Sequence, residues 1–267
     1  MKDLLGLFGY HKTPHTKELD ENEHLPLPHI DEAVDGLAGA VEERMSAAVI
    51  APAGAGKTTL LRSLRAQLPE ARYRVRYVKV TSLGNRDMCR EISAACGMSP
   101  AGNYPALVRT LQEYFENSLG TDGLRPVLIL DEAHDLRPET LAMLRILTNF
   151  DMDSKLVLSV VLSGQQGLAK MLKRDELQSV AGRLAHLATL RLLSRDETKK
   201  YLKHRSAIAG AADFPFDKGA CETIFELSRG NLRAIDSLAL KALWKAAALE
   251  ETVVGSAHVV AARKELP

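Results

Sequence analysis

The residues best suited to chemistry form two short stretches. The first is Ala51-Pro52-Ala53-Gly54-Ala55-Gly56-Lys57-Thr58, followed by Thr59. It has the spacing of a phosphate loop, with alanine where the first glycine usually stands. Backbone N–H groups of Ala53, Gly54, Ala55 and Gly56 can close around phosphate oxygens. Lys57 brings a cation to the outer phosphates, and the hydroxyl of Thr58 suits Mg²⁺. The second stretch is Val127-Leu128-Ile129-Leu130-Asp131-Glu132. Here four apolar residues deliver two carboxylates together. Asp131 would hold the metal and Glu132 would polarise an attacking water. Together these groups predict Mg²⁺-dependent hydrolysis of ATP.

Each reading has a plainer competitor. A glycine-rich turn can arise by chance, and a strand can happen to end in acids. The flanks decide against both. Ala47-Ala48-Val49-Ile50 reads as a strand entering the loop, and Leu60, Leu61 and Leu64 as a helix leaving it, which is the context the loop requires. Val127–Leu130 is apolar throughout, as in a central parallel strand covered on both faces, and ligands bind at the carboxyl ends of such strands.

Further elements follow from periodicity. A helix starts near Pro28 and runs through Val41. Residues 72–80 alternate basic and apolar, as a half-exposed strand, and helices follow over 85–97, 104–118 and 138–149. Leu156 to Leu162 is another buried strand, and His186 to Leu192 a fifth. Beyond Ser194, whose hydroxyl with Glu197 makes a capping box, residues 195–210, 217–228, 231–249 and 256–265 all read as helices. The expected fold is α/β, a P-loop core with a parallel five-stranded sheet flanked by helices plus a C-terminal α-helical lid domain. The expected limits are an N-terminal arm over 1–28, extended and with little core of its own, a nucleotide-binding core over 29–193 and the lid over 194–267.

Three other positions fit the same chemistry. The strand ending in Ser163-Gly164-Gln165 puts a polar group near the γ-phosphate. Gln165 and Ser163 both qualify, and a simple turn is the plain alternative. Arg183, before the last strand, could reach a neighbouring subunit's γ-phosphate as a finger, although Arg174 or Arg191 could take that part and a surface role is the plain reading. Gly230-Asn231-Leu232-Arg233 opens a lid helix, and Arg233 there could touch the γ-phosphate of its own site. Asp131-Glu132-Ala133-His134 also spells a DEAH box, yet the second domain of such a helicase, with its arginine-rich motif, has no counterpart around Gly182-Arg183.

With 35 basic and 34 acidic residues the net charge is +1, which excludes a strongly basic nucleic-acid binder but leaves room for a local basic stripe. Cys89, Cys96 and Cys221 have no metal-binding spacing and suit a reducing compartment. No apolar run is long enough to span a membrane. A cytoplasmic protein is expected.

In order and spacing these motifs resemble those of AAA+ ATPases, and in particular the ExeA-like group. The resemblance rests on Leu7-Phe8-Gly9 and Thr13-Pro14, Asp131-Glu132-Ala133-His134, Leu144 to Ser154, Ser163-Gly164-Gln165-Gln166, Leu193 to Glu197 and Gly230 to Arg233. Its most specific part is Thr148-Asn149-Phe150-Asp151-Met152-Asp153-Ser154. The group includes a secretion-pathway ATPase with an added transmembrane region. It also includes transposon-encoded helpers similar to TnsC, TniB, IstB and Mu B. The length of this chain favours the second use. That resemblance implies ATP-dependent homo-oligomers, rings or filaments, on duplex DNA that recruit a DDE transposase. It also implies an adenine site near Pro28, His29 and Ile30, and DNA contacts from Lys79, Thr81, Arg86 and Arg90, for which a solvated basic face is the plain alternative. By their charge alone, Lys170, Lys173 and Arg174 make a second candidate patch. A secretion-assembly ATPase and a replication-initiator or helicase-loader ATPase are the alternatives.

Overall fold

A computed structural model of the chain describes residues 4–16, 23–211 and 213–266. Its elements in chain order are α1 (Leu4–Phe8), α2 (Pro28–Glu42), β1 (Ser46–Ile50), α3 (Lys57–Gln67), β2 (Tyr73–Lys79), α4 (Asn85–Ala95), α5 (Tyr104–Gly120), β3 (Arg125–Asp131), α6 (Pro138–Ala142), α7 (Leu144–Leu147), β4 (Ser159–Gly164), α8 (Gln166–Leu172), α9 (Gln178–Ala181), β5 (Leu184–Thr189), α10 (Arg195–Ile208), α11 (Lys218–Ser228), α12 (Leu232–Ala248) and α13 (Ser256–Arg263). Contacts divide the chain into two units, residues 28–52 with 57–190 and residues 1–27 with 53–56 and 191–267.

The first unit holds a five-stranded sheet in the order β2-β3-β4-β1-β5, with every pairing parallel. β1, β3 and β4 carry few or no polar side chains before their last residues, because helices cover them on both faces. α2 packs on β1, β5 and α3, while α4 and α5 pack on each other and against β2 and β3. Ile50, Val78, Leu128, Leu130 and Leu162 form one core with Met88, Ile92, Leu107, Leu111 and Phe115 of α4 and α5. Because the strands are parallel, their carboxyl ends share one edge of the sheet. Register places Lys79 opposite Asp131 and Ile50 opposite Gly164.

The second unit is helical. α12 packs on α13, α11 and α10, and α1 packs on α12. Leu4, Phe8 and Tyr10 are buried there. His15 is enclosed too, its ring edge-on to Phe216 and its Nδ1 3.1 Å from Asp236 Oδ1, while Tyr201 donates to Asp236 Oδ2 at 2.9 Å. Gly230 closes the turn before α12. Its φ is +78°, and a Cβ there would meet the Leu193 carbonyl oxygen at 2.0 Å, so only glycine fits.

The structure corrects several local expectations. The start of the chain is not extended over its described part, since Leu4–Phe8 is a helix with two buried residues; residues 17–22 lie outside the described residues. The strand expected from Leu156 begins at Ser159, because pairing with β3 starts only where Ser159 meets Val127. Leu156 is 51% exposed, and the Phe150–Lys155 bridge takes up the chain before it. The helix expected over 138–149 is two short helices with a turn at Met143, where Ile146 N–H reaches the Met143 carbonyl at 2.8 Å. The fifth strand starts two residues earlier than expected, and as an edge strand it leaves Leu187 exposed.

Candidate nucleotide site

Lys57 is the first residue of α3, and Asp131 is the last of β3. Glu132 follows in the left-handed region, φ 57° and ψ 34°. A non-glycine residue held there costs roughly 1–3 kcal/mol, and the turn re-aims the Glu132 carboxylate. Its Oε2 lies 2.7 Å from Lys57 Nζ. Lys57 is 8% exposed and Glu132 half-buried, so removing the carboxylate would strand a buried ammonium. His134 Nδ1 lies 3.4 Å from the same Glu132 oxygen and 3.4 Å from the Gln165 backbone nitrogen.

Asp131 is fixed on both oxygens. Oδ1 accepts from the Ser163 hydroxyl at 2.8 Å and from Glu132 N–H at 2.9 Å, and Oδ2 accepts from the Tyr77 hydroxyl at 3.0 Å. Ser163 is fully buried at the end of β4. Tyr77 is 48% exposed as a whole, but partial desolvation of its phenol and the neighbouring Asp131 carboxylate push it up to about 12, so it stays a donor. The donor set fits Mg²⁺. The Asp131 carboxylate and the exposed Thr58 hydroxyl are hard oxygen groups, and no cluster of three or more His, Cys, Asp or Glu suited to a metal occurs among the described residues. Such a site suits an ion that takes its remaining ligands from phosphate and water.

Of the two candidates at the end of β4, Ser163 touches Asp131, whereas Gln165 stands near His134 through its main chain as the N-cap of α8. The loop residues Ala53–Gly56 fall in the helical unit. There Asn231 Nδ2 donates to the Ala53 carbonyl at 2.7 Å, and Leu232 N–H donates to the Gly54 carbonyl at 3.0 Å. Arg233 is exposed in the first turn of α12. Thr59 follows in α3, half-buried. Pro28, His29 and Ile30 form the first turn of α2, with Ile30 facing the core.

Arg183 stands apart from these groups. It precedes β5 and lines a small cavity with Ser46, the first residue of β1, which puts it at the opposite edge of the sheet from Glu132. Its Nη2 lies 2.7 Å from Asp153 Oδ2 and its Nη1 3.1 Å from Thr148 Oγ1. Asp153 and the two residues before it, Asp151 and Met152, are all left-handed. Arg191 is held by both Glu197 oxygens at 2.7 and 2.8 Å, and Arg174 lies 3.4 Å from Glu176. Lys79, the last residue of β2, and Thr81 and Arg86 beyond it are exposed, while Arg90 is half-buried and 3.6 Å from Asp87. Lys170, Lys173 and Arg174 are exposed on and after α8.

Two contacts were not anticipated. Tyr77 read as one of the apolar positions of an alternating strand, yet β2 is the edge strand beside β3, and Tyr77 sits two residues before the one paired with Asp131. Asn231 lies in a motif whose arginine alone had drawn attention. A strong helix cap directly after Gly230 was the available signal.

An AAA-domain family model matches residues 41–172. Over 195 residues the chain is 33% identical to general secretion pathway protein A of Aeromonas hydrophila, a match covering 71% of this chain and 35% of that protein. The chain thus spans about a third of the length of that relative. Among solved structures, Cdc6p from Pyrobaculum aerophilum superposes with a TM-score of 0.74 at 18% identity, over 93% of this chain and 71% of that one. Aeropyrum pernix ORC1, solved in complex with DNA, gives 0.68 at 18% identity, over 93% and 68%. The RuvB Holliday junction branch migration motor of Thermotoga maritima gives 0.60 at 17% identity, over 96% and 74%. At such identities the likeness shows the fold, a P-loop AAA+ core with a helical C-terminal region. The chain thus shares an AAA-domain segment and sequence similarity with that secretion protein, on a P-loop AAA+ fold.

Proposed function

Taking an AAA+ nucleotide-binding fold as the premise, we propose that this chain is a Mg²⁺-dependent ATPase. Bound ATP drives its head-to-tail assembly on duplex DNA, and the assembly delivers that DNA to a DDE transposase. The observation that carries the ATPase reading is the Lys57–Glu132 pair beside the fixed Asp131 carboxylate. Incoming phosphate competes for Lys57 and releases Glu132 to accept a proton from water. Asp131, immobilised by Ser163, Tyr77 and its own main chain, holds the ion with Thr58. Mg²⁺, when bound, neutralises charge on the phosphate oxygens. Ser163 reports the state of Asp131. Arg233 contacts the phosphates of its own site, and His29 and Ile30 lie beside the adenine.

The finer parts of this reading rest on the ExeA-like resemblance over Thr148–Ser154 and on the basic residues at the end of β2 and beyond it. Arg183 completes a neighbour's site. Lys79, Thr81 and Arg86, with Arg90 behind them, meet DNA phosphates with little base preference. The test is electron microscopy and DNA binding with an ATP analogue. Assembly should need both nucleotide and duplex DNA, and affinity should fall steeply as salt rises. Absence of ATP-dependent assembly on DNA at low salt would sink the DNA reading.

A second reading is favoured by the 33% identity to general secretion pathway protein A. On that reading the chain is a secretion-assembly ATPase, with turnover indifferent to DNA and with assembly, if any, in its absence. Equal turnover with and without duplex DNA would favour it.

A further inference from the structure

A phosphate loop works only if its N–H groups face the anion and its carbonyls face elsewhere, because an inward carbonyl oxygen repels phosphate. In a trans peptide the carbonyl and the following N–H point in opposite directions, and the described chain has no cis peptide. Whatever holds the carbonyls of Ala53 and Gly54 therefore sets the direction of the N–H groups of Gly54 and Ala55.

Both carbonyls are held by one turn of one helix. The Ala53 carbonyl accepts from Asn231 Nδ2 at 2.7 Å, and the Gly54 carbonyl accepts from Leu232 N–H at 3.0 Å. Asn231 uses both ends of its carboxamide, since its Oδ1 accepts from Ala234 N–H at 3.2 Å as the cap of α12. The loop side is shaped for this approach. A Cβ on Gly54 would lie 2.2 Å from Asn231 Oδ1 and 2.6 Å from both Cγ and Nδ2, and φ there is +74°. Gly54 is thus needed twice, for its left-handed backbone and for the room Asn231 occupies.

We propose that Asn231 is a positioning residue for the phosphate loop. Through it, α12 holds the loop's carbonyls outward, and nucleotide binding and the order of α12 become coupled. The inference rests on the nucleotide-binding reading and adds to it a residue other than the lysine and the carboxylates.

Serine and aspartate cap helices as well as asparagine does, but aspartate has no donor, and the serine hydroxyl, one atom shorter, is occupied at the cap and falls short of the Ala53 carbonyl. Asn231→Ser and Asn231→Asp therefore separate the cap from the clasp. The experiment titrates fluorescent ADP into wild type, Lys57→Ala and both Asn231 variants, and follows hydrogen exchange of the loop and of the first turn of α12. Asn231→Ser should bind ADP about fivefold weaker, the cost of one lost hydrogen bond, and Asn231→Asp weaker still from its added negative charge. The loop should exchange faster in both, with the thermal midpoint lowered by no more than about 4 °C. ADP should protect the first turn of α12 in wild type and not in Asn231→Ser. Wild-type affinity and wild-type exchange in Asn231→Ser would overturn the role of Asn231 alone. Wild type that binds no ADP would instead overturn the nucleotide reading.

Discussion

Glu132 carries the heaviest chemical assignment, and its left-handed backbone and its contact with Lys57 both place it where a nucleotide would change its partner. Glu132→Gln keeps the side-chain shape and removes the proton acceptor. It should bind ATP and assemble, while turnover falls on the order of 10²-fold or more; hydrolysis at the wild-type rate would displace Glu132 as the base. Lys57→Ala should lose nucleotide binding altogether, measured by the same ADP titration. Lys57, Asp131 and Glu132 were legible in the sequence because their meaning depends only on neighbours in the chain, a strand before and a turn or helix after. Tyr77 and Asn231 were not, since each acts across space. Tyr77 depends on which strand lies beside β3, and Asn231 on where the start of α12 comes to rest.

Most elements were readable from periodicity, and the exceptions share a cause. β2 and β5 are edge strands, so alternation there mixes real exposure with polar contacts such as the one from Tyr77. β4 starts late because pairing, and not hydrophobicity, decides where a strand begins. The first residues read as an extended arm with little core of its own, yet α1 and His15 are packed into the helical unit. Burial of the His15 ring lowers its pKa below 6.5, outweighing the upward pull of Asp236, with the Arg205 guanidinium adding a smaller downward push. The unfolded chain therefore takes up that proton more readily than the folded one. The stability tied to neutral His15 is complete above about pH 6.5 and declines as pH falls from there towards the folded-state value. Thermal melting from about pH 7 to about pH 5 should show this decline in wild type and a shallower one in His15→Gln. Identical slopes would mean that other groups set the pH dependence.

At the scale of the assembly, the position of Arg183 away from its own carboxylates makes a mixing experiment decisive. Arg183→Ala has an intact site and no finger, while Glu132→Gln has a finger and no base. Each alone should be slow, the former by as much as about 10³-fold if the arginine acts as fingers do elsewhere. Mixed, they should recover turnover about tenfold or more over their sum, because one supplies the arginine the other lacks. No recovery in co-assembled mixtures would confine Arg183 to bracing the Thr148–Asp153 turn.

The helical unit is drawn from three separate stretches, the first 27 residues, the four residues 53–56 and everything from Arg191 onward. On a ribosome, α1 emerges long before its partner α12, so Leu4 and Phe8 wait with their apolar surface unspent until α12 follows. The sheet, whose strands lie between Ser46 and Thr189, can be complete well before that. Folding through such distant contacts is slow and exposes intermediates to aggregation. The grip of α12 on Ala53 and Gly54 can form only after the sheet's strands have all emerged, so a chain still being made would carry its lysine and carboxylates before its phosphate loop was set.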